Sequence, residues 1–401
     1  MISQDTNTNF KSKGKVDSMS SQHNEDESIV LDMIDSFLER DVKPFAHDLE
    51  YNDTYPAEIV EKMKEIGLFG AIIDTKYGGS GLSVQTYAKI IDKITEVWMS
   101  ISGILNSHLI MATAVQRFGT TEQKEEWLPR FASGELRGGI ALTEPGAGTD
   151  LQAIRTVAVR DGDDYIVNGT KSWITNSMYG QCLALLVKTD PNANPGHKGM
   201  SLFIAEKGDG MSVNKLDKLG YRGIDTNEIF YDNYRVPAKN LIGGVEGLGL
   251  KQILAGLELG RINVAARGVG LARAALRESV AYAQIRKTFG KPIAEHQAIQ
   301  SMLADMATRV EASSLLVQAA ATAYDQGKRC DMEAGMAKLF ATESAVSNTM
   351  DAMRIHGAYG YSREYNIERY YRDAPLLVIG EGTNELQRII IARQLIERNK
   401  V

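Results

Sequence analysis

The feature that most limits what this chain can fold into is a change of texture. Apolar residues recur at helical spacing on both sides of a stretch, residues 141–242, in which they alternate instead. A period near 3.6 and a period of 2 cannot be satisfied by one element type. The chain therefore reads as helices, then short strands, then helices again. On the N-terminal side, "ESIVLDMIDSFLERDVKPFA" sets Ile29, Met33, Ile34 and Phe37 on one helix face. "TYPAEIVEKMKEIGLFG" opens near Pro56 and closes near Gly67, and in "TTEQKEEWLPRFASG" Thr120 or Thr121 can cap while Gly134 stops the helix. In the centre, "TVAVRDGDDYIVNGTKSWIT" alternates around Asp161-Gly162 and Asn168-Gly169, both read as hairpin turns, and "CLALLVKTD", "MSLFIAEKG" and "EIFYDNYRVP" add strands. Beyond residue 246, Ile299, Met302, Leu303, Met306, Val310 and Leu316 repeat as the inner face of a bundle helix.

The expectation is a mainly α protein with a middle β-domain. A disordered polar tail occupies 1–27 and an N-terminal helical domain 28–138. A small β-barrel-like or sandwich domain follows at 139–242, then a C-terminal four-helix bundle at 243–401. A length of 401 residues allows two or three domains. The net charge of −6 argues against a nucleic-acid footprint, and two distant cysteines with six scattered histidines give neither a disulfide framework nor a metal cluster. No apolar run is read as long enough to span a bilayer. The first 27 residues lack an apolar signal core and contain acids and no arginine, so a cytoplasmic location without membrane is expected, or the mitochondrial matrix in a eukaryote.

Nucleotide-binding GxGxxG and GxxxxGK[ST] runs are missing, as is GxSxG. Three other passages bear chemistry. "ALTEPGAGTD" sets Thr143 and Thr149 around Gly146 and Gly148, although local chemistry alone favours a plain connector. "KSWITN" puts Trp173 and Thr175 on one side of a strand, an indole beside a hydroxyl, or simply a core tryptophan. "YAQIRKTFGKPIAEHQAIQ" places Arg286, a fork of phosphate-binding donors, and Phe289 between two helices. A fourth, "LLVIGEGTNELQR", holds a carboxylate, Glu381, between Gly380 and Gly382 at the mouth of a helix. Its plain explanation is a carboxylate favoured by the helix dipole.

Taken in order, "ALTEPGAGTD", "KSWITN", "RKTFGKPIAEHQ", "RIHGAYGYSREY" and "RDAPLLVIGEGTNELQR" closely resemble the acyl-CoA dehydrogenase family, over residues 28–398. The resemblance implies non-covalent FAD, a homotetramer built as a dimer of dimers, an acyl-CoA substrate and an electron-transfer flavoprotein as acceptor. It implies that Glu381 removes the α-proton of a saturated acyl thioester while flavin N5 takes the β-hydride, giving the trans-2-enoyl-CoA. It places Thr143, Gly148, Thr149, Trp173 and Thr175 around the flavin, Thr149 also at the thioester, and Gly380 and Gly382 beside the substrate. Arg286 and Phe289 reach the FAD of a neighbouring subunit. Gln297, Arg354, Gly357 and Thr383 fall near that dinucleotide, and Thr383 can also cap the last helix. Glu258 and Arg261 line the pantetheine channel, or else form an (i, i+3) helix pair. Relatives that carry the base before the arginine matched by Arg261 have a glutamate there; this chain has Gly260. It also departs at Arg354 (usually glutamine), Ala358 (usually glycine) and Gly380 (usually tyrosine). Alternatives are a same-fold oxidase, a dehydrogenase of a carrier-bound thioester, a monooxygenase relative, or a non-catalytic helical scaffold.

Overall fold

In the computed structural model, residues 27–400 are described; the expected polar tail lies outside them except for Glu27. A first helix, α1 (27–37), runs through a π-helical turn (Leu38–Val42) into α2 (Lys43–Tyr51). Helices α3 (Ala57–Glu65), α4 (Val84–Phe118) and α5 (Thr121–Ala132) complete the N-terminal part. Thr120 closes a full capping box with Gln123 at the start of α5, and Gly67 and Gly134 take the left-handed backbone that ends a helix.

Helix α4 differs from the sequence reading in two ways. It bends at Trp98, where φ −157° and ψ 105° leave the helical region without proline or glycine. After the bend, residues 98–115 carry no charged side chain, so by length and composition the helix is apolar enough to cross a bilayer. Yet 94% of its apolar window is buried inside the protein. Ser, Asn, His and Thr along it concealed the run from a search for unbroken apolar residues.

The middle part is one seven-stranded sheet: β1 (Gly138–Ala141), β2 (Val157–Asp161), β3 (Asp164–Thr175), β4 (Cys182–Lys188), β5 (Met200–Glu206), β6 (Met211–Lys215) and β7 (Thr226–Pro237). The order is β1-β4-β2-β3-β7-β6, with β5 paired to β4. Asp161-Gly162 makes the β2–β3 hairpin as expected. Asn168-Gly169 does not turn the chain: it is a bulge inside β3, where the pairing with β7 slips between Val167 and Gly169. Gly169 has φ +148°, and a side chain there would run into Thr156, so close packing as well as backbone conformation demands glycine.

The C-terminal part is helical again: α6 (Gly249–Ile285), a short hairpin β8 (Lys287–Thr288) and β9 (Lys291–Pro292), α7 (Gln297–Asp325), α8 (Asp331–His356), α9 (Ile367–Ile379) and α10 (Asn384–Arg398). Met306 and Val310 are buried in α7 as their spacing requires, and one apolar core joins this bundle to the N-terminal helices. A second core fills the sheet.

Candidate active site

The loop between α9 and α10 turns on Glu381 itself. Its φ of +55° is in the left-handed region, where a non-glycine residue is strained. Gly382 follows at φ +88°, where a β-carbon would meet Gln387. Gly380, by contrast, has φ −70° and ψ 153°, open to any residue. The glycine before the glutamate thus supplies space, and only the one after it supplies backbone freedom. A buried lysine on α8 fastens the loop. Lys338 Nζ donates to the carbonyl oxygens of Gly382 (3.0 Å) and Val378 (3.3 Å) and to Asn384 Oδ1 (2.8 Å). Burial drops the Lys338 ammonium to about 8, against the pull of Glu381 and Glu385.

The Glu381 carboxylate turns away from α10 and inward. Oε1 accepts a hydrogen bond from Asn106 Nδ2 on α4 and lies 3.8 Å from Arg267 Nη2 on α6. Oε2 is buried with no hydrogen-bond partner among the described residues. Burial raises this carboxyl above the ordinary carboxylate range, against the opposing influence of Arg267, Asn106, Lys338 and Arg261. A helix-capping carboxylate would shift the other way. Glu385, in the first turn of α10, is held below its ordinary value by hydrogen bonds from its own backbone N–H and from Thr383, and Thr383 caps that helix by accepting from Leu386 N (3.3 Å). The dipole explanation therefore belongs to Glu385, and Glu381 has the environment of a general base. A β-carbon added at Gly260 would run into Glu381 Oε2, so the alternative base position opens on the same space.

Helix α4 ties this carboxylate to the sheet. Asn176, just beyond β3, donates to the carbonyl of Ile104, and a β-carbon at Gly139 would touch the Thr175 carbonyl on one side and Ser107 on the other. The hydrogen bonds that α4 makes with Asn176 and with Glu381 thus fall within one turn of that helix, at Ile104 and Asn106. A second bulge in β3, between Lys171 and Ile174, gives Trp173 φ +62° and leaves 60% of its surface exposed. The Ser172 N–H donates to the Thr143 carbonyl (2.8 Å), which brings the 143–150 loop to the same edge. Gly148 and Thr149 are exposed on that loop.

Sequence reasoning missed the group that shapes this loop. Glu144 accepts from the N–H groups of Arg155 (2.6 Å) and Thr156 (3.0 Å) and from Lys171 Nζ (2.9 Å), and Lys171 is fully buried. Burial lowers the lysine to about 8. It would also raise the glutamate, but Lys171 and the backbone donors outweigh it and hold Glu144 below its usual range. The glutamate is the fourth residue of "ALTEPGAGTD", and the lysine opens "KSWITN".

Glu258 and Arg261 do not form the (i, i+3) pair. Glu258 lies 3.7 Å from Arg117, and Arg261 lies 4.0 Å from Asp331. Burial and the neighbouring Asp331 raise the Glu258 carboxyl to about 7.

The remaining candidates gather elsewhere. Arg286 ends α6, Phe289 tips the β8–β9 hairpin, Gln297 opens α7, and Arg354 and Gly357 end α8. Tyr282 stacks on His356 at 4.2 Å and joins these ends into one cluster. Arg354 spends one donor on Asp351 (3.2 Å). Phe289 is 97% exposed on a left-handed backbone, φ +50°. From Gly260 to Arg286 the helix climbs 26 residues, about 39 Å at 1.5 Å each. This cluster and Glu381 therefore lie far apart within one subunit.

A three-part helix–sheet–helix chain with a buried carboxylate of raised pKa among its helices, and an exposed indole on a bulged strand, has the build of a flavoenzyme that dehydrogenates a carbon chain. Comparison with known proteins makes the class specific. The acyl-CoA dehydrogenase N-terminal, middle and C-terminal domains match residues 24–135, 139–234 and 247–396. An acyl-CoA dehydrogenase of Bacillus subtilis (strain 168) is 41% identical over 367 residues, 91% of this chain and 96% of its own. Butyryl-CoA dehydrogenase from Megasphaera elsdenii superimposes with a TM-score of 0.89 at 35% identity, covering 92% of this chain and 98% of that one. A chain from the structure of the electron transferring flavoprotein of Acidaminococcus fermentans does so with a TM-score of 0.90 at 39% identity, covering 93% and 98%. The chain belongs to the acyl-CoA dehydrogenase family and is a FAD-dependent oxidoreductase. Its residues fit that cofactor: the bared face of Trp173 and the exposed Gly148-Thr149 backbone have no partner within the subunit's own core.

Proposed function

We propose that the enzyme converts a saturated acyl-CoA into the trans-2-enoyl-CoA, with Glu381 as the base. The observation that carries this reading is the inward, raised and half-unpartnered Glu381 carboxylate. Its free Oε2 takes the α-proton, and a raised pKa brings the base closer to the working pH. The left-handed turn at Glu381 frees its backbone N–H to polarise the thioester carbonyl as negative charge grows there. Bound FAD supplies the acceptor for the β-hydrogen and its electron pair, so the α-proton and β-hydride leave and a carbon–carbon double bond forms. Thr143, Gly148, Thr149, Trp173 and Thr175 would hold the flavin, and Gly380, Gly382, Glu258 and Arg261 would line the thioester and its pantetheine arm.

The 39 Å separation supports a shared cofactor site. Arg286, Phe289, Gln297, Arg354 and Gly357 would serve the FAD of a second subunit, and an aromatic as bare as Phe289 is best explained by a partner. We therefore read the assembly as a homotetramer, a pair of such dimers. Electrons would pass to an electron-transfer flavoprotein, in the cytoplasm or the mitochondrial matrix. The test is anaerobic addition of saturated acyl-CoAs to the yellow enzyme. Flavin bleaching, with reoxidation by an electron-transfer flavoprotein faster than by oxygen, is the expected result. Fast reoxidation by oxygen would favour an oxidase, and failure to take up FAD would leave only the scaffold reading.

A further inference from the structure

Beside Glu381 lies a buried cation that an aliphatic acyl chain has no use for. Arg267 lies on α6 two turns past Gly260, and Glu258 lies before Gly260. Glu258 and Arg261, read above as lining the pantetheine arm, flank Gly260, and Arg267 lies farther along α6 with its guanidinium still facing Glu381, so it is the cation available to the far end of the acyl group. It is 3% exposed. Its Nε donates to Asn263 Oδ1 (2.7 Å), and Nη1 makes a long contact to the neutral Tyr221 hydroxyl (3.4 Å). Nη2 faces Glu381 at 3.8 Å, too far for a hydrogen bond. Among the described residues, Glu381 is the only carboxylate within 4 Å of it. The neighbouring Tyr87 hydroxyl accepts from Asn263 Nδ2 (2.7 Å), and its own hydrogen finds no acceptor among the described residues. These side chains thus hold spare donors and a positive charge next to Glu381.

Turnover sharpens the imbalance. When Glu381 takes the α-proton it becomes neutral, and Arg267 loses its one carboxylate neighbour while still buried. An uncompensated buried charge is strongly unfavourable. An apolar acyl tail would leave it so, whereas an anionic tail would supply the missing counter-ion and accept from both Arg267 and Tyr87. We propose that the substrate is the mono-CoA thioester of a short dicarboxylic acid, with its free carboxylate bound by Arg267. This rests on the acyl-CoA dehydrogenase reading above and narrows its substrate class.

The test compares glutaryl-CoA with valeryl-CoA, equal in carbon count, as anaerobic reductants of the FAD-loaded enzyme. Glutaryl-CoA should be favoured in kcat/KM by roughly 30-fold or more, the scale of a desolvated charge pair. In Arg267→Gln that ratio should collapse, and Arg267→Lys should retain part of it. Should Arg267→Gln fail to fold, the ω-methyl ester of glutaryl-CoA, given to the parent enzyme, should react like valeryl-CoA. A parent enzyme that prefers valeryl-CoA overturns this inference and leaves the dehydrogenase reading standing. Equal losses on both substrates in Arg267→Gln would also overturn it, because the arginine would then act through Glu381. If neither thioester bleaches the flavin but another saturated acyl-CoA does, this inference alone falls; if none does, both readings fall.

Discussion

Replacing Glu381 by glutamine keeps the side-chain shape and removes only its basicity. Asn106 Nδ2 can still donate to the remaining oxygen, and the amide NH₂ falls where Oε2 is unpartnered. Loss of a general base costs roughly 10²–10⁴-fold in rate, which is about 2.7–5.4 kcal/mol of barrier at 1.36 kcal/mol per decade. FAD should remain bound, because most residues assigned to it lie on the sheet and at the far end of α6, and the exchange leaves Thr383, the one beside Glu381, in place. Stopped-flow bleaching under anaerobic substrate is the assay. The pH dependence supplies a second readout. Glu381 must be ionised to act, so kcat/KM should rise with pH through a value above the ordinary carboxylate range, and this limb should vanish in the variant. The stability sign is the opposite. A carboxyl whose folded pKa is raised contributes stability that is complete below its unfolded pKa and is lost as pH rises through the folded one. Glu381→Gln should therefore flatten the stability profile in that window. The doubly substituted E381G/G260E should recover at least about tenfold over Glu381→Gly. The recovery should be incomplete, since a displacement near 1 Å can cost about 10²-fold and a side chain at position 260 starts where the old carboxylate ended. Near-normal bleaching by Glu381→Gln would refute the assignment. So would a folded, yellow E381G/G260E no faster than Glu381→Gly.

Arg286→Ala should lower FAD occupancy and weaken the dimer, read by the flavin-to-protein absorbance ratio and by sedimentation; full occupancy in an unchanged oligomer would remove the shared site. Gly380→Tyr should fold normally, since its backbone is ordinary and a β-carbon meets only Leu376 O at 3.2 Å and Leu376 Cδ1 at 3.8 Å. It should narrow the range of acyl chains accepted, and an unchanged substrate profile would show that the space at Gly380 is not used by substrate. Lys338→Met removes three hydrogen bonds from the base-bearing loop and strands buried acceptors, at roughly 1–3 kcal/mol each. It should lower both the thermal midpoint and kcat, and a wild-type kcat would mean that the loop holds its turn unaided.

What the sequence made legible was local. Thr120 and Thr383 cap their helices because an N-cap is decided within three residues, and Asp161-Gly162 turns because its flanking strands are adjacent. Asn168-Gly169 carries the same signal and became a bulge, because its conformation is set by Thr156 packing against Gly169 across the sheet. The bend at Trp98 has no proline or glycine to announce it. The larger omission is systematic. Lys171, Lys338 and Arg267 were passed over because lysine and arginine ordinarily belong to the surface. Each is buried here by partners distant in sequence: Glu144 for the first, the Gly382 carbonyl and Asn384 for the second, Glu381 itself for the third. This matters most for the base. The five passages locate a carboxylate, but its basicity results from burial working against Arg267, Lys338 and Arg261 and against the Asn106 hydrogen bond. Those groups come from α4, α6 and α8, none of them in the segment that carries Glu381. A motif can therefore name the candidate residue, while the raised pKa on which its proposed role depends, and the buried arginine beside it, are properties of the packed helices.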